Sequence, residues 1–179
     1  VFNAQLYGQV TYEKKRLDAL LDSAADGILI LDADLNIERC NGAFEKLFGE
    51  TRDQIVGINH KDIIKWKKEP HGKTLEESMT ESWPLTPNTT LYVEGDLERP
   101  LPPSLPVGIT YAPLLSEENK LRNVILSVRD ITHFRTADEI KATFISIVSH
   151  ELRTPVALIK GYASTLRRDD AKWDKATIS

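Results

Sequence analysis

The sequence has a single cysteine, Cys40. An intrachain disulfide is therefore impossible, and a cysteine-built zinc cage has no second thiolate to use. One lone thiol suits a reducing compartment, so a cytoplasmic location is the expectation. No run approaches the ~20 apolar residues of a membrane-spanning helix, and the N-terminus carries no signal-peptide pattern, so no membrane insertion is expected of these residues. Charge of one sign is scarce too. The 23 basic and 27 acidic residues leave a net charge of −4, too weak a field to recruit nucleic acid or an anionic membrane. The nine glycines include no Gly-x-Gly, so a glycine-rich phosphate loop is missing. No internal repeat, low-complexity tract, helix-turn-helix or metal-ligand cluster stands out, and no metal is expected. The chain runs from Val1 to Ser179. Both ends read as cuts in a longer protein, and an anchor outside this segment stays open.

What is present is a globular composition, 41% hydrophobic and 28% charged, over 179 residues: one ordinary domain plus a helical appendage. Residues 1–24 read as a helix with Leu6, Val10, Leu17 and Leu21 near one face. It is either a surface helix packed on the next domain or a linker that forms a parallel coiled coil. From residue 25 the pattern changes. Gly27 to Asp32 is a β-rich run, residues 33–36 supply a turn, and Ile37 to Cys40 return as a hairpin partner. Asn41 can cap a short helix bearing Phe44, Leu47 and Phe48, with Gly49 as its stop. Thr51 with Gln54, and Thr74 with Glu77, match capping boxes. The segment Ile63 to Lys68 reads as a helix end whose cations suit the dipole.

Strand signals return at Leu91–Val93, Leu105–Ala112 and Leu121–Asp130. The prolines at 100, 102, 103 and 106 predict a stiff, extended loop ahead of the long strand. Two strands, short helices, then three strands make an α+β plan with one antiparallel sheet and helices over one face. After Thr132 the period switches. Phe144, Val148, Leu152, Pro155, Ile159, Tyr162 and Leu166 form a helical stripe too long to bury against itself, so a second helix or a second copy is expected to cover it. Asp130 or Thr132 can cap its start, and Asp169–Ser179 reads as a polar connection.

Two segments resemble known families. Gly27-Ile28-Leu29-Ile30-Leu31-Asp32, then Asn41 to Gly49, then the closing Val128-Arg129-Asp130-Ile131-Thr132, are similar to the signature pieces of a PAS domain spread over about 17–132. The middle, 57–106, departs from the commonest PAS pattern. Phe144 to Pro155, with Ser149-His150-Glu151-Leu152-Arg153-Thr154-Pro155 at its centre, looks like the phosphoacceptor box of HisKA-type sensor histidine kinases. The resemblance implies a PAS fold with a five-stranded antiparallel sheet, flanked by an N-terminal helix and a long signalling and phosphoacceptor helix. The expected division is a linker helix at 1–24, a PAS sensory domain at 25–132, and a signalling helix with a truncated HisKA segment at 133–179.

The resemblance also implies a chemistry. Neutral imidazole carries a nucleophilic lone pair at cellular pH, and His150 would take the γ-phosphoryl group of ATP. Glu151 corresponds to the family's base or orienting acceptor. Thr154, one turn on from His150, corresponds to the residue that positions water for dephosphorylating the partner regulator. Pro155 removes a helix hydrogen bond and clashes with the carbonyl of Glu151, which predicts a bend beside the nucleophile.

ATP would be bound by a catalytic domain absent from this sequence. The implied partners are a second copy through the helices, that catalytic domain, and a response-regulator receiver domain. PAS relatives hold haem, flavin, small metabolites or nothing, so the PAS ligand is open. Cys40 precedes the helix where flavin photoreceptors carry their reactive cysteine, so no such adduct is expected. His60 and His71 are formal haem ligands, with a surface or capping role as the plainer reading. The competing class of function is a non-catalytic PAS dimerisation or ligand-binding module.

Overall fold

The computed structural model describes residues 2–81, 83 and 89–166. The chain divides into two compact units, 1–133 and 134–179. In the first, helix α1 (Phe2–Asp22) precedes strands β1 (Gly27–Leu31) and β2 (Ile37–Cys40). Helices α2 (Gly42–Phe48), α3 (Arg52–Ile55) and α4 (His60–Ile63) follow, then β3 (Lys65–Trp66) and α5 (Leu75–Thr80). Strands β4 (Leu91–Glu98), β5 (Leu105–Leu115) and β6 (Leu121–Asp130) complete one antiparallel sheet in the order β2-β1-β6-β5-β4-β3.

The local signals explain most of these elements. Between β1 and β2, Oδ1 of Asp32 accepts from the backbone N–H groups of Asp34 and Asn36, each at 2.9 Å, and closes the turn. Asn41 caps α2 and Gly49 ends it at φ 92°, a left-handed backbone that favours glycine. Both capping boxes form, at Thr51–Gln54 and Thr74–Glu77. Along β5, Leu105, Val107, Ile109 and Tyr111 turn inward, as do Val124, Leu126 and Val128 on β6. They meet Phe44, Phe48, Ile55 and Leu75 from the helices in one core. Phe44 is fully buried and stacks on Phe48 at 5.5 Å between ring centroids. Burial of a ring of this size contributes about 1.5–3 kcal/mol.

Two expectations need correction. The sheet has six strands, not five, because Lys65 and Trp66 pair with Glu98 and Leu97. The same residues were expected to end a helix. In fact α4 stops at Ile63, and the chain crosses to the edge of β4. The indole of Trp66 covers Gly95, where an added Cβ would meet the ring at 2.7 Å, so this packing outweighs the local preference. The proline-rich stretch ends inside β5, not ahead of it. Pro106 pairs with Asp96 and, lacking an N–H, contributes its carbonyl to the N–H of Ile131 at 3.0 Å.

The described part of the second unit is the helix α6 (Thr132–Leu166), whose first two residues belong to the first unit. Asp130 Oδ1 accepts from the Thr132 N–H at 2.8 Å, in line with the expected start. The stripe residues Phe144, Leu152, Ile159 and Tyr162 are all exposed on this helix. The expected polar connection, Asp169–Ser179, lies outside the described residues.

Candidate functional site

Asn41 anchors the frame that holds the sensory unit. Its Oδ1 accepts from the N–H groups of Ile28 (2.8 Å) and Phe44 (3.0 Å). Its Nδ2 donates to the carbonyls of Leu21 (2.9 Å) and Asp26 (3.1 Å). A buried primary amide has two donors and two main acceptor sites, and here all are used. The capping role was visible in the sequence; the ties back to α1 and β1 were not. Asp22 adds to the seam, its Oδ1 accepting from the Gly42 N–H at 3.0 Å and from Arg52. Asp18 pairs with Arg39. Helix α1 is thus joined to the domain by several polar contacts at its C-terminal end. Its middle leaves Val10, Tyr12 and Leu17 exposed.

Inside the domain the structure assembles a polar group that the sequence does not announce. His60, on α4, is 2% exposed. Its Nδ1 lies 3.1 Å from Oε1 of Glu76 on α5, and its Nε2 lies 3.2 Å from the hydroxyl of Tyr111 on β5. A carboxylate only accepts, so Nδ1 donates to Glu76, while Nε2 and the Tyr111 hydroxyl share one hydrogen bond. The hydrogen bond from His60 holds the Glu76 carboxyl below the usual range, against the opposing effect of burial. Burial, with the charge of Glu76 second, pushes the Tyr111 phenol well above its ordinary value.

The surface or capping role expected of His60 is therefore wrong. With both ring nitrogens engaged, a place as an iron ligand would require breaking the bond between Nε2 and Tyr111. His71 is exposed, and its backbone bridges to Glu94. Cys40 is buried, which raises its thiol, with the charge of Glu45 adding to the effect. The outer side of the sheet carries a paired charge, Arg129 on β6 holding Asp26 through Nη2 at 2.8 Å and Nε at 3.1 Å.

The predicted phosphoacceptor residues lie together on α6. His150 is 75% exposed and Glu151 78%, so the imidazole is open to a reagent from solution. Glu151 Oε1 stands 3.8 Å from His150 Nδ1, beyond hydrogen-bond length but within a small side-chain adjustment of it. Thr154 and Pro155 are also exposed, and Pro155 sits within an unbroken helical run. Its missing N–H leaves the carbonyl of Glu151 without the usual helical donor. Among the described residues, no helix is long and apolar enough to cross a membrane.

The comparisons follow the same division. Residues 25–133 match the PAS domain family, and residues 140–177 match the His Kinase A (phospho-acceptor) domain. Drug sensory protein A of Synechocystis is 30% identical over 92% of this chain, which covers 27% of that protein. Sensor protein kinase WalK of Staphylococcus aureus is 25% identical over 90% of this chain, which covers 24% of it. The chain thus spans about a quarter of the length of the curated relatives it matches. The PAS domain of an HTR-like protein from Haloarcula marismortui superposes with a TM-score of 0.55 at 20% identity, covering 72% of this chain and 99% of that one. An RNA-binding light-oxygen-voltage receptor gives 0.60 at 18% identity over 74% of this chain and 37% of its own. At those identities the likeness speaks for the fold alone, which is the α+β fold described above. Profile, fold and element order agree: the chain belongs to the PAS domain family, with a His Kinase A phospho-acceptor segment following the domain.

Proposed function

We propose that this chain is the sensory and phosphoacceptor part of a two-component sensor histidine kinase. In this reading residues 1–24 are a linker helix, 25–132 sense, and 133–179 carry the signal to His150. The observation that carries it is the Ser149–Pro155 box, displayed on a helix with His150 open to solvent and lying inside the matched phospho-acceptor segment. A ring nitrogen of His150 attacks the γ-phosphorus of ATP, the bond to the bridging oxygen breaks, and ADP leaves. Glu151 accepts the Nδ1 proton and leaves Nε2 as the nucleophile. The phosphohistidine then gives its phosphoryl group to an aspartate of a response-regulator receiver domain. Thr154 positions a water that attacks the regulator's aspartyl phosphate, releasing inorganic phosphate and the free aspartate, and Pro155 softens the helix beside the nucleophile.

The nucleotide belongs to the catalytic ATP-binding domain of the parent protein. The exposed stripe on α6 is covered by a second copy, giving a cytoplasmic homodimer. No nucleic acid or membrane insertion enters this scheme. The test is incubation of the chain with γ-labelled ATP and the parent's catalytic domain. Acid-labile label is expected on the wild type and none on His150→Gln. Label that persists on His150→Gln rejects the reading and leaves a non-catalytic PAS module.

A further inference from the structure

Four elements meet around one recess that the scheme above does not use. Helix α2 ends there at Phe48, α4 at Ile63 and β4 at Glu98, and β3 starts there at Lys65. The recess measures about 430 Å³, within the ~300–1,000 Å³ typical of small-molecule sites. Phe48 and Ile63, both buried, give it apolar surface. Charged residues of both signs line it as well: Glu50, Asp62 and Glu98 against Lys65 and Arg99.

These charges do not neutralise one another. Lys65 and Glu98 stand opposite in the β3–β4 register, yet their side chains form no ion pair. Among the described residues neither Lys65 nor any of the three carboxylates has an ionic or hydrogen-bond partner for its side chain. Arg99 is held differently. Its Nη1 donates to the carbonyl of Leu47 at 2.6 Å and its Nε to that of Pro103 at 2.9 Å. Both acceptors are neutral. The half-buried guanidinium is thus fixed in place with no carboxylate against it among the described residues. A fixed guanidinium suits a planar anion, above all a carboxylate. Unpaired carboxylates suit a cation with N–H donors. A ligand of one sign would meet half of the lining with repulsion. A zwitterion answers both halves, and an apolar side chain on it would cover Phe48 and Ile63.

We infer that this recess binds an α-amino acid with an apolar side chain. The ligand carboxylate pairs with Arg99, with Lys65 on the same side of the charge balance, and the ligand ammonium is held by the carboxylates of the lining. The inference rests on the sensory reading and deepens it by naming a ligand class. It is tested without any phosphotransfer, so either reading can fail while the other stands.

L-phenylalanine is titrated into the full chain by calorimetry, with isoleucine methyl signals followed by NMR. Saturable binding is expected, with shifts at Ile63 and none at Ile30 and Ile125. Two analogues each remove one charge: 3-phenylpropanoate lacks the ammonium and phenylalanine amide lacks the carboxylate. Each is expected to bind about tenfold or more weakly, the loss of one charge-assisted contact. Arg99→Gln is expected to weaken phenylalanine by a similar factor and to leave the affinity for the amide unchanged, which general damage to the fold would not do. The analogue comparison uses the wild-type chain, so it decides even where that variant does not fold. No saturable binding of phenylalanine, an analogue that binds as tightly, equal affinity for phenylalanine in Arg99→Gln, or shifts centred on Ile30 and Ile125 would each overturn the site.

Discussion

His60 and Tyr111 stand 51 positions apart in the chain, yet the ring Nε2 of one lies 3.2 Å from the hydroxyl of the other, in the domain core. Through Glu76 the same histidine reaches α5, so one buried ring joins α4, α5 and β5. Polar groups in such surroundings stabilise only while every partner is present.

Replacing Tyr111 by Phe leaves Nε2 of His60 buried without its hydrogen-bond partner. The expected cost is about 1–3 kcal/mol, measured by urea unfolding near neutral pH. An alkaline effect accompanies it. The folded phenol titrates above its ordinary value of 10.0, so its contribution to stability is complete below that pH and is lost as pH rises past it, when only the unfolded chain ionises. In Tyr111→Phe the alkaline decline in stability should be shallower; an unchanged slope contradicts this assignment.

Glu76 acts on the acid side. Its folded pKa lies below the ordinary 4.5, so the contribution is present above that value and disappears as pH falls through the folded value. Glu76→Gln should flatten the loss of stability across the acid range. Equal acid slopes for the two proteins would remove Glu76 from the account.

Asn41→Ala deletes four hydrogen bonds and leaves the Ile28 N–H without its acceptor. The expected destabilisation is about 2–3 kcal/mol, read from the urea midpoint at constant m-value. Faster hydrogen exchange should begin at the Leu21–Phe44 seam.

Gly49→Ala forces a side chain onto a backbone at φ 92°, and its Cβ would approach that of Leu101 to 2.9 Å. A loss of about 1–2 kcal/mol is expected in thermal unfolding. Gly57 has φ 87° but open space around it, so alanine there should suffer the backbone strain without the contact and cost less.

For the proposed phosphoryl transfer, Glu151→Gln should slow labelling of His150 by about 100-fold or more, as expected for loss of a general base. Thr154→Ala should leave labelling near wild type and slow only the dephosphorylation of the regulator. Single-turnover labelling and regulator dephosphorylation assays separate the two effects. A defect of Thr154→Ala in labelling itself would argue against its assigned role.

The parts of the fold legible in the sequence are those governed by neighbours along the chain. The Asn41 cap, the Thr51 and Thr74 boxes and the alternation through Val124, Leu126 and Val128 each depend on residues a few positions apart. The fold hid what depends on distant partners. Lys65 and Trp66 become a strand only because Leu97 and Glu98 lie alongside. Strand β4 runs on through Glu94, Gly95 and Asp96, poor strand formers, because β5 supplies the hydrogen-bond ladder. His60 looks like a surface residue until Tyr111 arrives from β5. On α6 the reverse holds: the box around His150 and Glu151 is readable locally, and only their separation needed coordinates.

The Asn41–Gly42 pair carries one more consequence, for how the protein ages. An asparagine followed by glycine is prone to deamidation, in which the glycine nitrogen attacks the side-chain carbonyl and ammonia is expelled. Here the Gly42 nitrogen is held by Asp22, while the Asn41 amide is fixed at both ends. The folded domain thereby shields this spot from slow chemical damage, and a chain that lingers unfolded would acquire a negative charge in the middle of its own seam.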